Sequence, residues 1–127
     1  AELGPILRKY GISVCGGWFS GLLLDGDIEA EKDRIATQLA FFTAAKAPCI
    51  VYGETARSVQ GVKSAPLATK PRLTEAEIAS YGRKISDFAD WCAAQGMPIS
   101  YHHHMAAAVG TGVEPGVYIE HTSVLLL

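Results

Sequence analysis

The sequence lacks an excess of charge of either sign. Its 11 Lys and Arg residues nearly balance 13 Asp and Glu residues, so that the formal net charge is -2. A protein that binds nucleic acid through the phosphate backbone usually carries a basic patch or a strongly basic domain. The composition therefore gives no support to nucleic acid as a partner.

Long hydrophobic runs are also missing. The apolar residues nowhere continue for the roughly 20 positions that a membrane-spanning helix needs. No basic segment followed by an apolar core, which is typical of a secretory signal peptide, opens the chain. We therefore expect a cytoplasmic protein with no membrane partner.

Cysteine is scarce, and its spacing is uninformative for a metal site or a disulfide framework. Cys15, Cys49 and Cys92 are odd in number and widely separated. This pattern is typical of small buried apolar residues in a reduced, cytoplasmic protein.

Apolar runs and helical periodicities alternate along the chain. Hydrophobic residues make up 49% of the sequence and charged residues 19%, which is typical of a globular domain. Helices are predicted after a first turn at Pro5, after an N-cap at Asp27, and after a capping box at Thr74–Glu77. The predicted strands are Ile12–Cys15, Cys49–Tyr52, Ile99–His102 and Val124–Leu127. This order predicts a single α/β domain over residues 1–127, with right-handed βα units and a parallel sheet.

Side chains with useful chemistry follow three of the predicted strands. Trp18 follows the first strand, Glu54 follows the second, and His102 and His104 follow the third. Since alternate residues of a strand face the same way, His102 and His104 are predicted to share one side. The carboxyl ends of parallel strands carry the sites of barrels and doubly wound sheets. No glycine-rich phosphate-binding motif follows any strand, so a nucleotide site is not predicted.

Each of these residues also has a plainer interpretation. A histidine run can be an expression tag or polar packing without function, although this run is internal and continues an apolar strand. Trp18 can pack in a core, or it can form a wall of a sugar pocket because aromatic faces suit the apolar faces of a polyol. Glu54 can be a cap or a surface carboxylate, or a catalytic group beside the long loop 55–73, which could act as a lid.

Three stretches of the chain resemble the inosose (2-keto-myo-inositol) dehydratases. They are Gly17-Trp18-Phe19-Ser20 with Asp25-Gly26, Gly53-Glu54-Thr55, and Tyr101-His102-His103-His104-Met105-Ala106-Ala107-Ala108. The last stretch is the most specific of the three. That family belongs to the xylose-isomerase-like (β/α)8 TIM barrels, so the resemblance implies about half of such a barrel, since a full one needs about 250 residues.

The resemblance implies a lyase that depends on Mn²⁺ or Co²⁺ and removes water from a small polyol ketone, 2-keto-myo-inositol, in myo-inositol catabolism. It implies His102 as a metal ligand, with His104 as the alternative ligand, and otherwise His104 and Glu54 as catalytic groups. The substrate contacts that it implies are Trp18, Phe19 and His103. A sugar isomerase or epimerase of the same barrel group and a non-enzymatic, self-associating half-barrel are the other two interpretations.

The later metal ligands of the family have no clear counterparts in this sequence. We therefore expect a fragment that is inactive alone. Half a barrel would leave open sheet edges and an uncovered inner face. The expected partner is accordingly a second copy of the chain or a complementing barrel half.

Overall fold

The computed structural model describes residues 3–104 and 106–108, and the backbone pairing of residues 125–126. Helices and strands alternate along the chain. They are α1 (Leu3–Tyr10), β1 (Trp18–Gly21), α2 (Ile28–Ala44), β2 (Ile50–Glu54), a 3-10 turn (Leu67–Thr69), α3 (Glu75–Ala94), β3 (Ile99–Tyr101) and β4 (Leu125–Leu126). Among these residues, no helix combines the length and the apolar character that crossing a membrane requires.

The strands form one parallel sheet in the order β1-β2-β3-β4. Phe19 pairs with Tyr52, Tyr52 with Tyr101, and Tyr101 with Leu126. Strands that follow one another in the sequence are therefore neighbours in the sheet, as in successive βα units. The predicted α/β class and the parallel pairing are confirmed, whereas closure of the sheet into a barrel stays a prediction.

The first strand lies later in the chain than the sequence predicted. Residues 12–17 form no regular element, and β1 begins at Trp18. Gly16 adopts φ 147°, and a Cβ there would lie 2.9 Å from the carbonyl oxygen of Cys49. The prediction of a strand at Ile12–Cys15 is therefore wrong, because these residues pair with none of the described strands and the ladder with β2 begins at β1. Trp18 begins a strand instead of following one.

The remaining strands and the helix starts agree with the sequence prediction. The Asp27 carboxylate accepts a hydrogen bond from the Ala30 amide at 2.9 Å, which caps α2. At the start of α3, the Thr74 hydroxyl accepts from the Glu77 amide, and the Glu77 carboxylate accepts from the Thr74 amide. The capping box is therefore confirmed. The sequence also predicts a short helix from Glu114 to Thr122, with His121 as a surface residue, but this segment lies outside the described residues.

Helices α2 and α3 cover one face of the sheet. Strand side chains Phe19, Tyr52 and Tyr101 pack there in one core; the helix side chains of that core include Ile35, Ile85, Phe88 and Cys92. Cys92 is fully buried, and this burial raises the pKa of its thiol to about 12. Cys15 is exposed, so the expectation that all the cysteines are buried is wrong for that residue.

Candidate functional site: an imidazole pair at the edge of the sheet

Trp18 lies on the face of the sheet that the helices leave open. Along β1 the burial alternates, with Trp18 and Ser20 exposed and Phe19 and Gly21 buried. Because successive strand residues point to opposite faces, Trp18 and Ser20 share the open face. Phe19 shares the helix-covered face with Tyr52, whose ring centroid is 5.8 Å from its own.

Trp18, His102 and His104 form a cluster of three rings on the open face. The Trp18 ring centroid lies 5.6 Å from that of His102 and 5.4 Å from that of His104, and both contacts are edge-to-face. The two imidazole centroids are 4.7 Å apart. The His102 amide donates to the Tyr52 carbonyl at 2.9 Å, which ties the pair to the carboxyl end of β2. The predicted proximity of His102 and His104 is confirmed.

Ser20 and Gly53 determine where the indole of Trp18 lies. The Trp18 Nε1 donates to the Ser20 Oγ at 2.9 Å. A Cβ at Gly53 would lie 2.2 Å from the Cη2 atom of Trp18, so the indole rests directly on the backbone of β2. Trp18 remains 42% exposed, and its ring therefore presents an apolar surface beside the imidazoles.

His103 differs from His102 and His104 in its surroundings. Its ring stacks on that of His102 with centroids 6.3 Å apart. Its Nδ1 atom is buried and has no hydrogen-bond partner among the described residues. Buried polar atoms usually have a partner, and the described residues do not supply one for this nitrogen.

A cavity of about 350 Å³ adjoins the ring cluster at His104. Its other walls come mainly from the loop after β2, with Gln60 and Lys63 as polar groups. The Val59 amide donates to the Ala106 carbonyl at 3.1 Å, which ties this loop to the segment after the histidines. The volume is typical of a site for a small molecule. The predicted lid thus forms a wall of the cavity, while its movement stays a prediction.

Glu54 and Phe19 lie on the other face of the sheet from the ring cluster. Glu54 is at the carboxyl end of β2, the same edge as His102, as the sequence predicted. Its side chain is 2% exposed and points to the Tyr52 hydroxyl on the helix-covered face. Since Gly53 lies on the open face, its neighbour Glu54 has to face the helices. The predicted position of Glu54 at the same end of the sheet as His102 is therefore confirmed, although the side chains of Glu54 and Phe19 face the helices, and their functional roles stay predictions.

Glu31 and Glu54 form a buried acidic pair on the helix-covered face, which was not predicted from the sequence. Glu54 accepts hydrogen bonds from the Leu24 amide at 3.0 Å and the Ala56 amide at 2.8 Å. Burial raises the pKa of Glu54, and the nearby charge of Glu31 acts in the same direction. Glu31 is only 3% exposed. Its spacing from Ile28 and Ile35, three and four residues away on the apolar face of α2, was the signal that could have revealed it.

His102 and His104 provide two imidazole groups, which is fewer ligands than a complete metal site needs. Within the described part of the chain, no three His, Cys, Asp or Glu side chains are arranged to hold a metal ion. Imidazole nitrogen suits divalent first-row metals, so His102 and His104 fit as two of the ligands. Burial lowers the pKa of His104, and its histidine neighbours lower it further. Both effects favour the neutral imidazole that a metal requires.

Comparison with known proteins gives relatives named inosose dehydratase and a relative named for rhizopine catabolism. No protein-family model matches the chain. The rhizopine catabolism protein MocC of Rhizobium meliloti is 33% identical over 114 residues, which cover 90% of this chain and 35% of that protein. The inosose dehydratase of Histophilus somni is 34% identical over 125 residues, covering 96% and 42% respectively. The inosose dehydratase of Yersinia enterocolitica is 30% identical over 117 residues, covering 92% and 39%.

These matches include most of the chain but less than half of each relative. The share of the relatives' own length that the chain spans is 35% to 42% in these three comparisons. The resemblance inferred from the YHHHM stretch and the two shorter stretches is therefore confirmed, since proteins named inosose dehydratase or MocC are 30% to 34% identical over 90% or more of this chain.

Proposed function

We propose that the chain supplies part of the active site of a hydro-lyase that removes water from 2-keto-myo-inositol (inosose). The observation that carries the proposal is the ring cluster that Trp18, at the start of β1, forms with His102 and His104, which follow the carboxyl end of β3. The 30% to 34% identity with proteins named inosose dehydratase supports the choice of reaction. Parallel α/β folds place their sites at the carboxyl ends of their strands.

The exposed ring of Trp18 would bind one face of the substrate. The C–H groups of a cyclic polyol form an apolar face that packs against an aromatic ring. The buried Nδ1 of His103 would orient a substrate hydroxyl. Phe19 would act indirectly, because it is 5% exposed and packs behind the strand that carries Trp18.

The proposed cofactor is a divalent cation, Mn²⁺ or Co²⁺, which would polarise the ketone carbonyl. His102 would be one ligand, and His104 would be either a second ligand or a proton-transferring group. The remaining ligands would come from groups outside the described residues. Loss of water from a ketone needs a base at the neighbouring carbon and an acid at the leaving hydroxyl. A His104 imidazole that does not bind the metal could serve in either step.

Metal binding can be tested on the chain itself with Co²⁺, whose visible absorption changes on coordination by nitrogen. We expect His102→Asn to weaken Co²⁺ binding by about 10-fold or more, because it removes an imidazole ligand, and an equal loss in His104→Asn would identify His104 as the second ligand. Glu29→Gln is the matched control, since this carboxylate is on the exposed surface of α2. Equal affinities in all the variants would contradict the metal site.

The reaction can be tested in a chimera, because the chain spans 42% of the Histophilus somni relative. This chain would replace the matching region of that enzyme, and the loss of water from 2-keto-myo-inositol would be followed by the absorbance of the product. We expect activity in the chimera and a loss of about 100-fold in the His102→Asn, His104→Asn double variant. A chimera in which the double variant is equally active would contradict the proposal.

The same assay separates the rival functions. A sugar isomerase or epimerase would change the ketone without the loss of water. The match to MocC, which is named for rhizopine catabolism, makes a rhizopine the second compound to test.

A further inference from the structure

Two buried carboxyl groups meet at one tyrosine hydroxyl behind the sheet. The Tyr52 hydroxyl oxygen is 2.9 Å from Glu31 Oε1 and 3.3 Å from Glu54 Oε2. A phenol carries one proton, so Tyr52 can donate to only one of these two oxygens. If both acids were ionised, the other contact would bring two oxygens together with no proton between them. Buried polar groups rarely tolerate such a contact.

Glu31 is the ionised member of the pair. The guanidinium of Arg34 forms an ion pair with Glu31 Oε2. Arginine remains charged at all ordinary pH values, so it stabilises the Glu31 carboxylate. The Leu22 amide also donates to Glu31 Oε1 at 2.9 Å. Tyr52 is thus expected to donate its proton to Glu31, and not to Glu54.

Among the described residues, Glu54 has no cation beside it to stabilise a negative charge, and it takes part in no ion pair with them. Four titratable groups from the surrounding elements face it, one from α2, one from its own strand, one from α3 and one from β3. They are Glu31, Tyr52, Tyr81 and Tyr101. Lys84 of α3 donates to the backbone carbonyls of Leu23 and Gly26.

We propose that Glu54 keeps its proton at neutral pH and donates it to the Tyr52 hydroxyl oxygen, while Tyr52 donates its own proton to ionised Glu31. Each hydrogen bond then has one proton, and the chain of bonds ends at the Arg34 guanidinium. Burial raises the pKa of Glu54, which agrees with this arrangement, while hydrogen bonds from the Ala56 and Leu24 amides and from Tyr81 act in the opposite direction. The proposal stands independently of the proposed dehydratase activity.

The consequence is that Glu31 and Glu54 are positioning residues for the loop between β1 and α2. Glu31 binds the Leu22 amide, and Glu54 binds the Leu24 amide. With Lys84 on the carbonyls, side chains from three elements hold this loop at the edge of the sheet that carries the ring cluster. Ionisation of Glu54 would turn its contact with Tyr52 into a repulsion and would loosen the loop.

The protonation state can be read directly by infrared spectroscopy, because a protonated carboxylic acid has a carbonyl band separate from that of a carboxylate. We expect the folded chain at pH 7 to show the band of one protonated carboxyl group. The band should disappear in Glu54→Gln, shift in Tyr52→Phe, and remain in Glu29→Gln, which alters an exposed carboxylate. Absence of the band from the folded wild-type chain at pH 7, or its persistence in Glu54→Gln, would overturn the proposal.

Stability against pH gives a second measurement. A carboxyl group whose pKa is raised by folding binds its proton more tightly in the folded state, so stability falls as the pH rises from the unfolded pKa to the folded one. We expect this fall in the wild-type chain and a flatter profile in Glu54→Gln, whose amide can still donate to Tyr52. Parallel profiles would overturn the proposal. Should Glu54→Gln fail to fold, the wild-type infrared band still decides the matter.

Discussion

At the scale of the residue, Gly53 controls the ring cluster most directly. Any side chain at this position would occupy the space of the Trp18 indole, since a Cβ would lie 2.2 Å from its nearest ring atom. We expect Gly53→Ala to displace the indole from β2 and to destabilise the chain by about 1–3 kcal/mol, as overpacking does. The displaced ring should show a changed emission maximum and greater quenching by acrylamide.

The fluorescence change can be assigned to Trp18 because the chain has only two tryptophans. Trp91 stacks on Phe88 with ring centroids 6.1 Å apart, so Trp91→Phe leaves Trp18 as the only fluorophore without losing an aromatic ring. Gly61→Ala is the matched control, because a Cβ there meets no atom within 4 Å. A Gly53→Ala emission spectrum identical to that of the control would show that Trp18 does not depend on Gly53.

The predictability of the site also differs from residue to residue. The pairing of His102 with His104 could be predicted because it follows from the local alternation of an extended segment. The contact of Trp18 with them could not, since it depends on the register between β1 and β2, which sets Trp18 beside Val51. The orientation of Glu54 was open for the same reason: a shift of one residue in a strand exchanges the faces.

At the scale of the element, the start of α3 depends on its capping box. Thr74 and Glu77 each bind the other's backbone amide. We expect Thr74→Ala to lower the free energy of unfolding by about 1 kcal/mol, because a helix amide loses its partner. Urea denaturation followed by circular dichroism would measure the loss, and Thr74→Ser should retain most of the stability.

Arg57 offers a second interaction at the same helix start. Its guanidinium bonds Glu77 and Asp25, and it holds the pKa of the Glu77 carboxyl to about 2, with the Thr74 amide and hydroxyl contributing less. Since this pKa is depressed by folding, the contribution of Glu77 to stability is present above its unfolded pKa and is lost as the pH falls toward 2. If Thr74→Ala had no effect at neutral pH, Arg57 and not the cap would fix the helix start.

Element boundaries were predictable where the signal is local. The caps at Asp27 and Thr74 use a side chain and an amide a few residues away, and both were predicted correctly. The first strand was not, because Ile12 and Val14 have the composition of a strand but find no strand partner. Ile12 is 57% exposed, so its apolar side chain does not indicate a buried strand.

At the scale of the whole molecule, large apolar side chains remain uncovered on the first helix and just after it. Leu3 is 47% exposed, Ile6 52%, Tyr10 64% and Ile12 57%. At about 25 cal/mol per Å², covering roughly 400 Å² would contribute about 10 kcal/mol before the costs of association. We therefore expect the chain to associate with itself or with a complementing barrel half.

Sedimentation equilibrium at micromolar concentration would measure this association. The expected result for the chain alone is a mass of at least twice that of one copy, reduced in an Ile6→Glu, Tyr10→Glu variant. Glu29→Gln on the exposed surface of α2 serves as the control and should leave the mass unchanged. A wild-type chain that stays monomeric over this range would contradict the prediction.

Cys15 and Cys92 differ in accessibility, and this difference can be used to measure the separation of α3 from the sheet. Cys15 is exposed and will react with an alkylating reagent in the folded chain, whereas Cys92 is 0% exposed and its thiol has a pKa of about 12. Cys92 can therefore be alkylated only when α3 separates from the sheet. Mass spectrometry of the labelled peptides would then give the rate at which the helix layer opens. The labelling of Cys15 in the same sample would serve as the control for the reactivity of the reagent.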